Sequence, residues 1–562
     1  MLSFAPKESP DVLRRLRSAA QRVLADEHGL GDAVATVASI PCREPGCPPF
    51  ETFVQILSDV LPVAFRLNKR PADVSDAELA SALRFAVAGA RLAPASADAP
   101  PPPPLPPAPH AFKRTPDATI GVAALRGVVR EVVDATDTID VHTHLFPPSH
   151  GDLCAYGIDA LLTYHYLVSE FFMVAPMDLT HALFFAKSKR AQADLVWDGL
   201  FVRRTPLSEA CVGVLTTLAA FPELRPALDP PLTAASLVPI RAFFDAADPA
   251  EHAARVLAMA GVRYVVCTNV PFDAREASEF VDETCCVDVD AETFASVETR
   301  PRDAAENSQF RTALRVDALL KGDWATIAAS LAQRGLPETL AGARTFLKAW
   351  AKRYGAVYLM ASSPAEFAYP RDEPKQPGWP SATALVDDVL VPVARELRLP
   401  LALKLGARRG MNPDLDPCGG GDGVVVAEGG PLVDLCSRNP DVKFLATFLS
   451  RVNQHEAAVM SQKFRNLHVY GCWWYCNNPS IIGEITRMRL ELLGTAFTAQ
   501  HSDCRVLEQL IYKWAHSRRV VADALADQYE HLVRTGFTLS RAAVERDVAA
   551  LLGGAYEAFL AK

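Results

Sequence analysis

Short apolar runs alternate with helical stretches along most of the chain after residue 118. Eight of these runs have the length and the β-branched or aromatic content of strands, namely 138–142, 263–267, 313–316, 357–361, 401–405, 443–448, 468–473 and 495–500. Segments with apolar side chains at helical spacing separate most of them, for example 386–397 and 454–464. Strands that alternate with helices form parallel sheets, so the pattern predicts an α/β fold, a TIM-like (β/α)8 barrel. A doubly wound open sheet is the alternative.

Two further regions flank or interrupt this pattern. Residues 1–92 show helical spacing over 12–24, 50–61 and 76–90, which predicts a small helical N-terminal module of unassigned role. Residues 93–115 are rich in proline, which favours an extended, semi-rigid linker before a barrel domain over 116–562. An insertion between the first two strands, at about 151–252, is predicted to be helical and to cap the barrel mouth.

Composition narrows the classes of partner. The net charge of −9 gives no general attraction to nucleic acid or to an anionic membrane. No run approaches the roughly 18 apolar residues of a membrane helix, and no apolar signal segment is apparent near Met1. The twelve cysteines lie mostly in apolar segments, as reduced core thiols do. We therefore expect a cytoplasmic protein with no nucleic-acid or membrane partner and with homo-oligomers allowed.

The first predicted strand ends in a His-x-His motif. His142 and His144 are two residues apart, so in a strand both imidazoles project to one face and can bind one metal ion. Asp503 follows the eighth strand, which neighbours the first in a closed barrel, and it would complete a His/His/Asp site at the rim where barrel active sites lie. His501 could be a further ligand or a partner of one. The alternative is two surface histidines on an edge strand.

A single metal ion is the preferred number. Barrels that bind two metals carry a histidine or a bridging lysine near the fifth strand. Here that strand ends without a histidine or an obvious bridging lysine, and Lys404 is the one candidate. We therefore expect one metal ion. Motifs for dinucleotides, for nucleotide phosphates and for a serine nucleophile elbow are absent from the sequence.

Aromatic and basic residues follow several of the other strands. His165 lies between Tyr164 and Tyr166 in an apolar run, which fits either proton carriers over a site or core packing. Trp473 and Trp474 fit the wall of a sugar site or, equally, a buried core. Arginines stand at the strand ends and match the fork of a carboxylate, which indicates an anionic substrate: Arg315, Arg408, Arg409 and Arg505.

Four stretches resemble the uronate (glucuronate) isomerases of the amidohydrolase superfamily, and most closely the divergent branch of Bacillus-type bacteria. They are Asp-Val-His-Thr-His-Leu-Phe at 140–146 and the segments 157–170, 444–456 and 500–514. The resemblance runs from about residue 125 to the C-terminus and does not cover 1–115. It implies aldose–ketose isomerisation of a hexuronate through an enediolate, from D-glucuronate to D-fructuronate or from D-galacturonate to D-tagaturonate.

The resemblance also implies roles for particular residues. One divalent ion, zinc or a similar ion, would be bound by His142, His144 and Asp503. The catalytic residues would be Tyr166, His165, Asp503 and Arg505, and the substrate-binding residues Arg315, Arg505, His165, Trp473, Trp474 and Arg408. Two alternatives remain: a hydrolase of the same superfamily that cleaves an anionic sugar lactone, ester or amide, and a non-catalytic sugar-binding or scaffold barrel.

Overall fold

The computed structural model describes residues 9–28, 33–41, 50–57, 63–67, 69–92, 120–273, 276 and 308–562. The chain forms two compact units, Met1–Ala111 and Phe112–Lys562. The proline-rich linker predicted at 93–115 lies outside the described residues. In the part of the chain that is described, no helix combines the length and apolar character needed to cross a membrane.

The first unit contains a three-stranded sheet as well as two helices, so the prediction of a helical module is wrong for its strands. Its elements are α1 (Pro10–His28), β1 (Val34–Pro41), β2 (Phe50–Leu57), β3 (Val63–Leu67) and α2 (Asp76–Leu92), and the three strands pair antiparallel in the order β1-β2-β3. The segment 50–57 of the helix predicted at 50–61 is the strand β2, and residues 58–61 lie outside the described residues. Alternate residues of β2 (Thr52, Val54, Ile56) are buried, which is the period of a strand, but a run this short fits either period in the sequence.

The second unit is the predicted barrel. Seven parallel strands form one sheet, in the chain order β4 (Thr138–Thr143), β5 (Val262–Asn269), β6 (Phe310–Arg315), β7 (Ala356–Ser362), β8 (Leu401–Leu405), β11 (Phe444–Phe448) and β12 (Leu467–Val469). The predicted eighth strand is reduced to a bridge between Tyr470 and Thr498. Beyond it, the Asp503 amide donates to the His142 carbonyl at 3.2 Å, so the segment after β12 returns beside β4.

Helices surround the sheet. After α3 (Val122–Ala135), the insertion between β4 and β5 is helical as predicted, with α4 (Ile158–Leu162), α5 (His165–Phe172), α6 (His181–Phe185), α7 (Lys189–Trp197), α8 (Glu209–Ala220), α9 (Leu237–Asp245) and α10 (Pro249–Ala260). The later helices are α11 (Asp317–Lys321), α12 (Trp324–Gln333), α13 (Leu340–Arg353), α14 (Ala382–Leu385), α15 (Val391–Leu397), α16 (Gly430–Arg438), α17 (Gln454–Lys463), α18 (Pro479–Leu493), α19 (Gln509–Arg534), α20 (Arg541–Ala549) and α21 (Ala555–Ala561). Two short strands after β8, β9 (Ala407–Arg408) and β10 (Gly423–Val424), pair antiparallel.

The barrel interior is a packed core. Alternate strand residues, among them Val141, Tyr264 and Tyr358, form one apolar cluster with Tyr556 and Phe559 of α21. The Tyr358 hydroxyl donates to the Val141 carbonyl at 2.7 Å, so the phenol is satisfied inside this core. Because side chains fill the interior, the chemistry is confined to the rim at the carboxyl ends of the strands.

Candidate active site

Three ligand atoms of the predicted metal site lie together at the rim. The Nε2 atom of His142 is 3.0 Å from Oδ1 of Asp503, and the Nε2 atom of His144 is 3.4 Å from the same oxygen. Among the described residues, His142, His144 and Asp503 are the group of histidine, cysteine and acidic side chains that could hold a metal ion. Ligands of one tetrahedral Zn²⁺ at bond lengths of about 2.0–2.1 Å lie about 3.3 Å apart, so these separations fit one ion.

The protonation states also suit metal ligands, which must present free lone pairs. Burial lowers the pKa of His142 well below its usual value and lowers that of His144 to about 3, so both imidazoles are neutral. The Thr268 hydroxyl donates to the Thr143 carbonyl at 3.1 Å and lies 3.1 Å from Nδ1 of His144. The hydroxyl is therefore the acceptor for Nδ1–H, which leaves Nε2 of His144 free to face an ion.

Lys404 is a third basic residue at the site, beside the two histidines and Asp503. The Lys404 ammonium nitrogen, Nζ, lies 2.5 Å from Nε2 of His142 and 3.1 Å from Oδ1 of Asp503. Burial lowers the pKa of Lys404 to about 7, against the opposing effect of Asp503. Burial alone would raise the pKa of Asp503, but Lys404 and the two histidines hold it well below its usual value. The three predicted ligand groups thus carry one fixed negative charge, on Asp503, and this charge already attracts a cation.

Strained backbone conformations accompany the site. Among the described non-glycine residues, positive φ occurs at Arg398, Trp474 and Asp503, and two of these three are predicted site residues. Such conformations cost about 1–3 kcal/mol each and persist where surrounding contacts enforce them. Near Asp503, the buried Asp140 carboxylate accepts hydrogen bonds from the Ser502 amide at 3.0 Å and from Nε1 of Trp514 at 2.9 Å. Asp140 therefore fixes the turn that presents Asp503.

The aromatic residues of the insertion lie beside the last barrel strands. His165 begins α5, is almost fully buried, and has a ring centroid 5.6 Å from that of Trp474. In the described structure both ring nitrogens of His165 and Nε1 of Trp474 lack a hydrogen-bond partner, as ligand-binding groups often do. Burial and the positive charge of Arg505 lower the pKa of His165 well below its usual value. Burial raises the pKa of Tyr166 well above 10, so its phenol is protonated.

The four arginines predicted at the strand ends differ from one another in their surroundings. The Nε atom of Arg315 donates to Asp317 at 2.6 Å, which fixes the plane of the guanidinium at the end of β6. Arg505 lies two residues after Asp503, and its Nη1 atom would be 2.9 Å from a Cβ at Gly419. Arg409 pairs with Asp422. Arg408 is exposed on β9, and within the described part of the chain no hydrogen bond or ion pair joins its side chain to the site.

The glycine cluster 419–423 lies against the predicted site residues His165 and Arg505. A Cβ at Gly420 would lie 3.0 Å from the Ser169 hydroxyl and 3.4 Å from Cβ of His165, so the loop after β8 packs directly on α5. The Tyr475 hydroxyl donates to the Asp422 carbonyl at 3.0 Å and ties the loop to the segment after β12. The cluster of glycines was the available signal for this close approach.

His501 packs against His142, next to the three converging ligand groups. Its ring is fully buried, with a centroid 5.2 Å from that of His142, and both of its nitrogens lack a partner in the described structure. It does not belong to the group whose ligand atoms converge. Gly471, with φ of +62°, lies so close that a Cβ there would be 1.7 Å from Nδ1 of His501.

Comparison with solved structures places the second unit among known barrels. A uronate isomerase from Bacillus halodurans C-125 matches with a TM-score of 0.69 and 36% identity, over 79% of this chain and 98% of that chain. A uronate isomerase from Thermotoga maritima matches with a TM-score of 0.59 and 14% identity, over 79% and 98%. A glucuronate isomerase from Caulobacter crescentus matches with a TM-score of 0.57 and 15% identity, over 78% and 94%. The last two show likeness of fold alone.

Two other comparisons gave no match. No family model matches the sequence, and no curated protein matches it.

Proposed function

The chain belongs to the uronate isomerase family, and from this premise we propose that it interconverts D-glucuronate and D-fructuronate, D-galacturonate and D-tagaturonate, or both pairs, with one divalent ion bound by His142, His144 and Asp503. The observation that carries the proposal is the convergence of these three ligand atoms within 4.8 Å of one another, in a chain 36% identical to a uronate isomerase. Zn²⁺ is the ion that we expect.

The reaction moves a carbonyl from C1 to C2, so a base must take the C2 proton and an acid must protonate C1. The intermediate is an enediolate, whose negative charge needs fixed positive charge nearby. An ion on the three ligands would supply positive charge beside the reacting oxygens. Arg505 and Lys404 add positive charge from the chain itself, since both act electrostatically on the site.

We assign the proton transfers to Asp503 and Tyr166. Asp503 is held ionised, so it can accept the C2 proton, whereas Tyr166 is held as a phenol and can donate one. Both shifts make the groups weak as base and as acid, so the substrate must be acidified by the surrounding positive charge. His165, neutral and without a partner in the described structure, is placed to hydrogen-bond a substrate oxygen. Trp473 and Trp474 would line the sugar.

Arg315 is the residue proposed to bind the C6 carboxylate. We expect Arg315→Lys to lower kcat/KM on uronates by about 30- to 1000-fold, because an ammonium cannot reproduce a bidentate pair worth roughly 2–4 kcal/mol. Asp317 accepts a hydrogen bond from Nε of Arg315 and so orients the guanidinium. A lysine has no Nε–H at this position, so this orienting contact would also be lost. Steady-state kinetics on a uronate and on the matching neutral hexose would measure the loss and the reduced discrimination.

Arg311→Lys is the matched control for this prediction. Arg311 lies on the same strand, at its exposed start, where its guanidinium packs 3.7 Å from the ring centroid of Tyr264. Metal content should be unchanged in both variants. If Arg315→Lys retains kcat/KM near the wild-type value, the carboxylate-binding role belongs to Arg505, Arg408 or Arg409 instead.

A substrate panel tests the proposed activity. Purified protein would be incubated with D-glucuronate, D-galacturonate and their ketose isomers, with and without a chelator, and products would be identified by NMR. We expect isomerisation without uptake of water, abolished by the chelator and restored by a divalent ion. A hydrolysed product from a lactone, ester or amide panel, with no isomerisation, would identify a hydrolase and overturn the proposal.

A further inference from the structure

Lys404 occupies the centre of the candidate site, and the function proposed above gives it no contact with the substrate. Its side chain is 2% exposed and its backbone is held in the middle of the sheet, with Ser362 and Thr447 as register partners on the two neighbouring strands. Its Nζ atom lies 4.5 Å from the ring centroid of Trp473. The side chain is therefore fixed within the barrel mouth and cannot reach bulk water without a large rearrangement.

The two acceptors of Lys404 are also the atoms that a metal ion needs. The single lone pair on Nε2 of His142 accepts from Nζ at 2.5 Å, and Oδ1 of Asp503 accepts at 3.1 Å. A nitrogen lone pair cannot bind an ion and accept a hydrogen bond at the same time. An ion on His142, His144 and Asp503 must therefore displace the Lys404 ammonium from Nε2, and it also repels that ammonium.

A displaced ammonium remains buried and needs new acceptors. Leaving a buried charge unpaired is strongly unfavourable, whereas the ring face of Trp473 provides a partial compensation on one side. The Thr447 hydroxyl is a buried neighbour on the next strand, and in the described structure it has no hydrogen-bond partner. A substrate that brings negatively charged oxygens to the same rim provides a full compensation.

We propose that Lys404 is a further substrate-binding and charge-stabilising residue, whose ammonium passes from His142 and Asp503 to an oxygen of the bound uronate when the metal site is filled. This inference rests on the proposed function. The oxygen that receives the hydrogen bond is one that carries the negative charge of the enediolate, because that charge develops beside His142 and Asp503. Lys404 thus opposes metal binding and supports turnover.

Lys404→Met tests both effects, since methionine has similar length and apolar volume but no donor. Metal affinity would be measured by titrating chelator-stripped protein with Zn²⁺ against a competing indicator. We expect Zn²⁺ to bind about 10- to 100-fold tighter, because hydrogen bonds to charged groups no longer have to be broken. With Zn²⁺ saturating, kcat on the best uronate should fall about 100-fold, as for the loss of one oxyanion donor.

Lys443→Met is the matched control. Lys443 lies at the start of β11 and donates to the Leu560 carbonyl at 2.6 Å, away from the three ligands. Its substitution should leave the Zn²⁺ affinity and kcat within about twofold of wild type. Lys404→Gln is a second variant that retains a neutral donor. It should bind Zn²⁺ more tightly than wild type and lose less activity than Lys404→Met. It also keeps the test available if the methionine variant folds poorly.

The outcomes separate this inference from the proposed function. Weaker Zn²⁺ binding by Lys404→Met would identify the lysine nitrogen as a metal ligand and overturn the inference, as would unchanged affinity or an undiminished kcat. If wild-type protein isomerises no uronate, the proposed function itself fails. The Zn²⁺ titration would then still report whether Lys404 competes with the ion.

Discussion

Protein with both His142→Ala and His144→Ala should contain almost no divalent metal and should lose uronate isomerisation by at least about 1000-fold. The two imidazoles supply two of the three converging ligand atoms, so Asp503 would remain as a lone carboxylate, and a single carboxylate binds a transition-metal ion weakly. Without the ion, the charge of the enediolate loses its strongest stabilisation, and the loss exceeds that of one hydrogen-bond donor.

Elemental analysis would measure the metal content, for which wild type should give about one ion per chain. Because His142 is fully buried, its removal leaves a cavity and could also lower stability, so thermal unfolding would be measured in parallel. Asp503→Asn is a near-isosteric second variant that should lose metal with less change in packing. His455→Ala, on the exposed side of α17, is the control. Full metal occupancy in the double variant would exclude this site.

The barrel and the three converging side chains were predictable from the sequence, because they depend on periodic patterns and on neighbouring strands. Seven of the eight predicted strands are strands, and the pairing of the first and last segments follows from closure alone. The convergence of His142, His144 and Asp503 required only that closure and the two-residue period of a strand. The resemblance to uronate isomerases supplied the family, which the Bacillus halodurans structure confirms.

The remaining features depend on tertiary contacts that no local pattern encodes. The predicted eighth strand is reduced to a bridge between Tyr470 and Thr498, and the residue after Tyr470, Gly471, has φ of +62°. The segment of β2 has the composition of either element, and its burial against two helices decides for a strand. The sequence marks Lys404 only as a candidate at the fifth strand, and the fold is needed to place its nitrogen beside both His142 and Asp503.

Gly471→Ala should be the most damaging of the small substitutions, with the free energy of unfolding lowered by about 2–4 kcal/mol. Of this, about 1 kcal/mol is expected from an L-residue at φ of +62°, and about 1–3 kcal/mol from overpacking. The added methyl would lie 1.7 Å from Nδ1 of the fully buried His501, so the ring or the strand end must move. Chemical denaturation with a fixed m-value would measure the loss.

The substitution should also reach the metal site, because the ring of His501 packs edge-on against that of His142 at 5.2 Å. A shift of His501 therefore displaces His142, and Zn²⁺ affinity should fall together with stability. Gly335→Ala separates the two causes, since Gly335 has φ of +66° but nothing lies within 4 Å of its added Cβ. Gly335→Ala should lose only the backbone contribution and retain its Zn²⁺ affinity. If the two variants are destabilised equally, the contact between Gly471 and His501 contributes nothing, and backbone conformation alone accounts for the glycine.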